Sequence, residues 1–84
     1  MKYKLICEVT FPNFEYTFDF NIPYNKSVYY VCKMLDKIIQ ENILSTYQPN
    51  DSTNLINMRT GQAYDMNMLI SETDIKNGTR LTYY

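Results

Sequence analysis

The chain has 84 residues, enough for a single domain with one modest core, and its 45% hydrophobic content sets it apart from a disordered tail. Eight basic and nine acidic residues are interspersed to a net charge of −1, which disfavours phosphate-backbone binding, because that depends on clustered Lys and Arg. With no histidine and only two cysteines, Cys7 and Cys32, the sequence lacks the commonest general base and the thiolates of a four-cysteine zinc or iron–sulfur site. No apolar run approaches the roughly 20 residues of a membrane span. The first residues, MKYKLICEVTF, lack the long apolar stretch and small-residue cleavage site of a secretory signal.

Residues 3–11 alternate with a period of two. Tyr3, Leu5, Cys7, Val9 and Phe11 share one face, while Lys4, Ile6, Glu8 and Thr10 share the other, as in a half-buried strand. After Pro12 and Asn13 the alternation restarts. Tyr16, Phe18, Phe20 and Ile22 point one way and Glu15, Thr17, Asp19 and Asn21 the other, which predicts an antiparallel hairpin.

The period then changes. Ser27 is suited to cap a helix, because its hydroxyl can accept from an exposed first-turn amide. From Val28 the apolar positions Val31, Cys32, Leu35, Ile38, Ile39 and Ile43 recur at three- and four-residue steps, with Tyr29, Tyr30, Lys33, Asp36 and Lys37 on the outer side. A helix of about 16 residues is roughly 24 Å long, sufficient to cross a small sheet. Pro49 and the polar run 48–54 mark a loop.

Residues 55–58 form a short strand candidate, followed by a Thr60-Gly61 turn and a weaker strand at 62–64. Residues 65–70 read as a loop containing a helical turn, and Asn77-Gly78 marks a tight turn into a last strand at 79–84. The order β-β-α-β-β-β therefore predicts an α+β domain spanning residues 1–84. It is a β-grasp, with a mixed sheet of four to five strands and one helix packed across one face. The first and last strands are expected side by side at its centre.

The segment LISETDIKNGTRLTYY, residues 69–84, resembles the closing signature of ubiquitin-like domains, in which a buried Ile precedes a turn and a strand beginning with a buried Leu. Within that group, the pattern Ile75, Asn77, Gly78, Arg80, Leu81 is most similar to the YukD/EsaB family of bacterial proteins linked to type VII secretion. The resemblance implies an accessory or regulatory role, exercised by noncovalent contact with a machine component such as the membrane ATPase; a cytoplasmic location is expected from the two cysteines, read as free core residues. Four of these five residues, Ile75, Asn77, Gly78 and Leu81, also have a purely structural reading, as a turn and a core strand.

Conjugation and sulfur transfer require a C-terminal Gly-Gly, whereas the two glycines here are Gly61 and Gly78 and the last residues are Tyr83 and Tyr84. A modifier or sulfur carrier whose tail lies beyond Tyr84 is the alternative, as is a stand-alone β-grasp interaction module of another complex. Cys7 and Cys32 are expected as small core hydrophobes. Asp65, Glu72 and Asp74 fall near the C-terminal loop, where solvated acids are commoner than a cation site. Without a nucleophile–base pair no enzymatic activity is expected, and no cofactor or metal. What remains is a recognition surface on the sheet face opposite the helix. Ile6, Thr82 and Tyr84 are expected to form an apolar-aromatic patch rimmed by Lys4, Glu8 and Arg80. Tyr29 and Tyr30 offer a second candidate, with one of them expected to pack against the sheet edge.

Overall fold

A computed structural model describes residues 4–84. Tyr3, assigned above to the first strand, lies outside the described residues. The elements are β1 (Lys4–Phe11), a 3₁₀ turn (Pro12–Phe14), β2 (Tyr16–Pro23), α1 (Val28–Asn42), β3 (Leu55–Asn57), a 3₁₀ turn (Ile70–Glu72) and β4 (Arg80–Tyr83). The strands form one mixed sheet in the order β2-β1-β4-β3, in which β1 pairs antiparallel with β2 and parallel with β4, and β4 pairs antiparallel with β3. The first and last strands are central, as the β-grasp arrangement requires. The expected strand at 62–64 is reduced to a single bridge between Ile56 and Ala63.

The hairpin turns at Glu15, which adopts a left-handed conformation (φ 51°) and donates its backbone N–H to the Pro12 carbonyl. On the core face of β1, Cys7, Val9 and Phe11 are buried, whereas Ile6 on the opposite face is 57% exposed. The alternation therefore assigns the two faces correctly. Along β2, Ile22 is buried but Phe18 and Phe20 are only half-buried and Tyr16 is exposed. As the outer strand of the sheet, β2 is covered on its core side only in part. Its rings compensate by packing on one another and on Phe11, with centroids 5.5–6.3 Å apart.

Helix α1 starts where the hydroxyl of Ser27 accepts from the N–H of Tyr30 at 3.1 Å. It buries Val28, Val31, Cys32, Leu35 and Ile39 against β1, β3 and β4 residues, with Ile70 and Ile75 completing the core. Asp36 departs from the sequence expectation. It is buried, at 4% exposure, rather than on the outer face. Its position flanks the apolar stripe, and its partners come from distant parts of the chain: the hydroxyls of Tyr83 (2.7 Å) and Tyr47 (2.9 Å) both donate to Oδ1.

The turn before β4 is closed by the Thr79 N–H donating to the Lys76 carbonyl, with Gly78 at φ +86°. A third turn position with positive φ requires glycine or asparagine. A Cβ at Gly78 would meet nothing within 4 Å, so the cost of a side chain there is purely conformational. Gly78→Ala is expected to lower the unfolding free energy by about 1–2 kcal/mol, measured by urea denaturation. Asn77 adds a long-range role that local turn chemistry does not announce. Its Oδ1 accepts from the N–H of Ile6 at 2.9 Å, and the Gly78 N–H donates to the Ile6 carbonyl at 2.8 Å, so the turn pairs with the start of β1.

Candidate functional site

Because α1 covers one face of the sheet, the side chains of Lys4, Ile6, Glu8, Thr10, Arg80 and Thr82 lie on the other. Register decides which of these meet. Glu8 stands opposite Arg80, and Thr10 opposite Thr82. The first pair forms an ion pair, with Arg80 Nε 3.3 Å from a Glu8 oxygen. Both side chains are exposed, so the pair is worth little to stability. Asp19 on β2 faces Glu8 from the other side, and Thr17 meets Thr10, their hydroxyl oxygens 3.1 Å apart.

The expected patch of Ile6, Thr82 and Tyr84 is not contiguous. The parallel register brings Ile6 level with Gly78, six positions before Tyr84. At about 3.3 Å per residue, the two ends stand roughly 20 Å apart. Ile6 is flanked instead by Lys4, Glu8 and Asn21, whereas Tyr84 lies at the far edge, where its backbone N–H and C=O both pair with Asn54 at 2.9 Å. Ile6 and Tyr84 are nevertheless 57% and 58% exposed.

Two apolar side chains on this face come from β3 and the turn after it. Ile56 stands opposite Thr82, and the Met58 N–H donates to the Arg80 carbonyl, with half of the Met58 side chain exposed. The pairing of β3 with β4 carries them there, and nothing in the alternation of residues 55–58 specifies that pairing. The middle of the open face is thus polar, a threonine and charge ladder, with apolar groups towards its margins.

The second candidate, Tyr29 and Tyr30, is exposed at both positions, 54% and 45%, and neither ring joins the core cluster. Each instead supports a lysine, Lys33 over Tyr29 and Lys26 over Tyr30, at 5.1 Å from the ring centroid. The acids near the C-terminal loop serve the local backbone and a side chain. Asp65 accepts from the Asn67 N–H, Glu72 from the Leu69 N–H, and Asp74 from the Tyr64 hydroxyl.

Both thiols are free and buried. Cys7 donates to the Lys76 carbonyl and Cys32 packs on the Met66 sulfur. Burial pushes Cys7 from 9.0 up to about 11 and, together with the charge of Asp36, Cys32 up to about 12, so neither is an activated nucleophile at neutral pH. The same shifts make stability depend on pH. The fold holds these protons more tightly than the unfolded chain does, so the thiols' contribution to stability is constant below about pH 9 and is lost above it. Tyr47 and Tyr64, both pushed up to about 12 chiefly by burial, extend the fall above pH 10. Urea midpoints measured from pH 7 to pH 11 are expected to decline from pH 9, and in a Cys7→Ala/Cys32→Ala variant only from about pH 10. Unchanged midpoints between pH 8 and pH 10 would contradict this account.

No protein-family model matches the chain, and no curated protein matches it in sequence. Solved structures do. A chain from a study of molecular mimicry of SUMO in DNA repair superposes with a TM-score of 0.82 at 11% identity, covering 100% of this chain and 94% of that one. The N-terminal ubiquitin-like domain of the 4931431F19Rik protein gives 0.76 at 18% identity, over 100% of this chain and 76% of that one. A chain of the MycP5-free ESX-5 inner membrane complex gives 0.71 at 13% identity, over 99% of this chain but 21% of that one. At such identities the likeness speaks for architecture alone: the chain has the ubiquitin-like β-grasp fold.

Proposed function

We propose that the chain is a ubiquitin-like protein that works by noncovalent contact with a larger protein, as an accessory component of a bacterial type VII secretion system on the cytoplasmic side of the membrane. It is not an enzyme in this reading. The observation that carries it is the uncovered sheet face, an exchangeable Glu8–Arg80 ion pair with exposed apolar groups, Ile6 and Met58, beside it. An apolar contact with a charged surround is the usual composition of a protein interface. The likeness to a chain of the ESX-5 inner membrane complex supports the setting, since there the same fold makes up about a fifth of a chain built into a membrane assembly. The resemblance of residues 69–84 to the YukD/EsaB family supports it from the sequence. No helix among the described residues is long and apolar enough to cross a membrane.

Deleting the gene from its host and measuring export of the WXG-type helical substrates tests this function. Export is expected to fall in the deletion strain and to be restored by the wild-type gene. A plasmid copy carrying Ile6→Glu should not restore it, although the purified variant should melt within a few degrees of wild type, since Ile6 is 57% exposed. Normal export in the deletion strain would remove the secretion reading.

A further inference from the structure

Beside the open sheet face, the turn that follows β3 and the turn that precedes β4 enclose a cleft of about 680 Å³. Its charged lining is three cations, Arg59, Lys76 and Arg80, against one carboxylate, Asp74. This excess of positive charge occurs in a chain whose net charge is −1. Asp74 is already engaged by the Tyr64 hydroxyl. Arg80 shares only the exposed ion pair with Glu8, and Arg59 and Lys76 form no salt bridge among the described residues. The volume lies within the range of ligand sites, large enough for two or three side chains.

The walls are fixed. Asn57 is buried, at 4% exposure, although it is polar. Its Oδ1 accepts from the Arg59 N–H at 2.9 Å, which sets the turn carrying Arg59, and its Nδ2 donates to the Tyr64 hydroxyl at 3.0 Å. The same hydroxyl donates to Asp74, so Tyr64 ties one wall to the other. On the opposite side, the Lys76 N–H donates to the Thr79 hydroxyl at 3.0 Å, and the Lys76 carbonyl accepts from both Thr79 and Cys7. The hydrogen bonds on both sides fix the backbone that carries the cations, so binding has to order their side chains but not the loops.

We propose that this cleft binds an acidic peptide segment of the protein partner, its Asp or Glu carboxylates taken by Arg59, Lys76 and Arg80. The inference rests on the protein-binding reading above and specifies the chemistry of the partner. Guanidinium groups match carboxylates in bidentate geometry, and the half-exposed thioether of Met58 on the same wall offers an apolar contact for the side-chain stems between them. A nucleic acid fits less well. Its repeated phosphates need a longer track of cations, and Glu8 and Asp19 extend the surface beyond Arg80 with negative charge.

Fluorescence anisotropy on the purified protein tests the cleft directly, with a labelled octapeptide of alternating Glu and Ala, its Gln counterpart, and an eight-nucleotide single-stranded DNA. The Glu peptide is expected to bind, more weakly as salt rises from 50 to 500 mM, and the Gln peptide at least about tenfold less tightly. Arg59→Glu/Lys76→Glu should weaken binding by at least about tenfold, whereas Lys37→Glu on the exposed side of α1 makes the same kind of charge reversal and should not. Arg59→Gln/Lys76→Gln, which adds no new repulsion, should give a smaller loss in the same direction. Absence of Glu-peptide binding would overturn the proposal. So would an equal loss in Lys37→Glu, or tighter binding of the DNA. The wider reading fails separately: if wild-type protein retains no partner in native lysate, the interaction role falls whatever the peptide does. If Arg59→Glu/Lys76→Glu retains a partner that Ile6→Glu loses, the role stands and the cleft does not.

Discussion

Truncating Leu81 to alanine will destabilise the protein by about 2–5 kcal/mol, the largest effect expected of a single apolar substitution on β4. Leu81 is fully buried on the strand that lies between β1 and β3, opposite Val9 on one side and Asn57 on the other. Its loss leaves a void where three strands meet beneath the helix, and hydrogen-bonded neighbours on both sides limit how far the backbone can move to fill it. A urea titration of Leu81→Ala should show the midpoint displaced with an unchanged slope. Thr82→Ala, one residue further on but on the open face, should cost no more than about 1 kcal/mol, the span of β-propensity. Similar losses at the two positions would mean that the sheet faces are assigned wrongly.

Replacing Asp36 with alanine is expected to cost about 3 kcal/mol, because hydrogen bonds to a charged group contribute about 1.5–3 kcal/mol each. Asp36 receives the Tyr83 hydroxyl from β4 and the Tyr47 hydroxyl from the loop after α1, joining three separated parts of the chain at one oxygen. Lys33 stands 4.0 Å from the other oxygen, but it is half-exposed and adds little. Without the carboxylate the buried Tyr83 hydroxyl has no acceptor, and that desolvated group is the main cost. Burial, reinforced by Asp36, raises the Tyr83 hydroxyl well above the ordinary tyrosine value, as expected for a proton held in such a bond. Tyr83→Phe should cost about 1.5–3 kcal/mol alone and substantially less in the Asp36→Ala background. A double-mutant cycle therefore should return a coupling energy of about 0.5–3 kcal/mol. Additive losses would contradict a direct bond between the two side chains.

These two sites differ in how readily the sequence reveals them. Leu81 follows from alternation, since a strand after Asn77-Gly78 with Leu81 and Tyr83 on one face has to bury that face. The helix, its Ser27 cap and the central placement of the first and last strands follow from periodicity and connection rules in the same way. Asp36 does not. It sits at the border of the apolar stripe, where helical periodicity does not decide between core and solvent, and the tyrosine that draws it inward lies 47 positions away. The open face shows the same division. Alternation identifies which side chains leave the core, yet it is silent on how far β4 slides along β1. That offset separates Ile6 from Tyr84 and sets Glu8 against Arg80. Met58 and the walls of the basic cleft depend on a further pairing, of β3 with β4, that three residues of strand do not encode in their pattern.

Noncovalent action is the centre of the account, and affinity capture from native host lysate, with paired native and denaturing washes, tests it most directly. Wild-type protein is expected to retain a component of the secretion machinery, such as its membrane ATPase, under the native wash and to release it entirely under the denaturing one. Ile6→Glu, folded but altered on the open face, should retain none. A series of heavier species that still carry this chain after denaturation would mean covalent attachment, and would contradict the account.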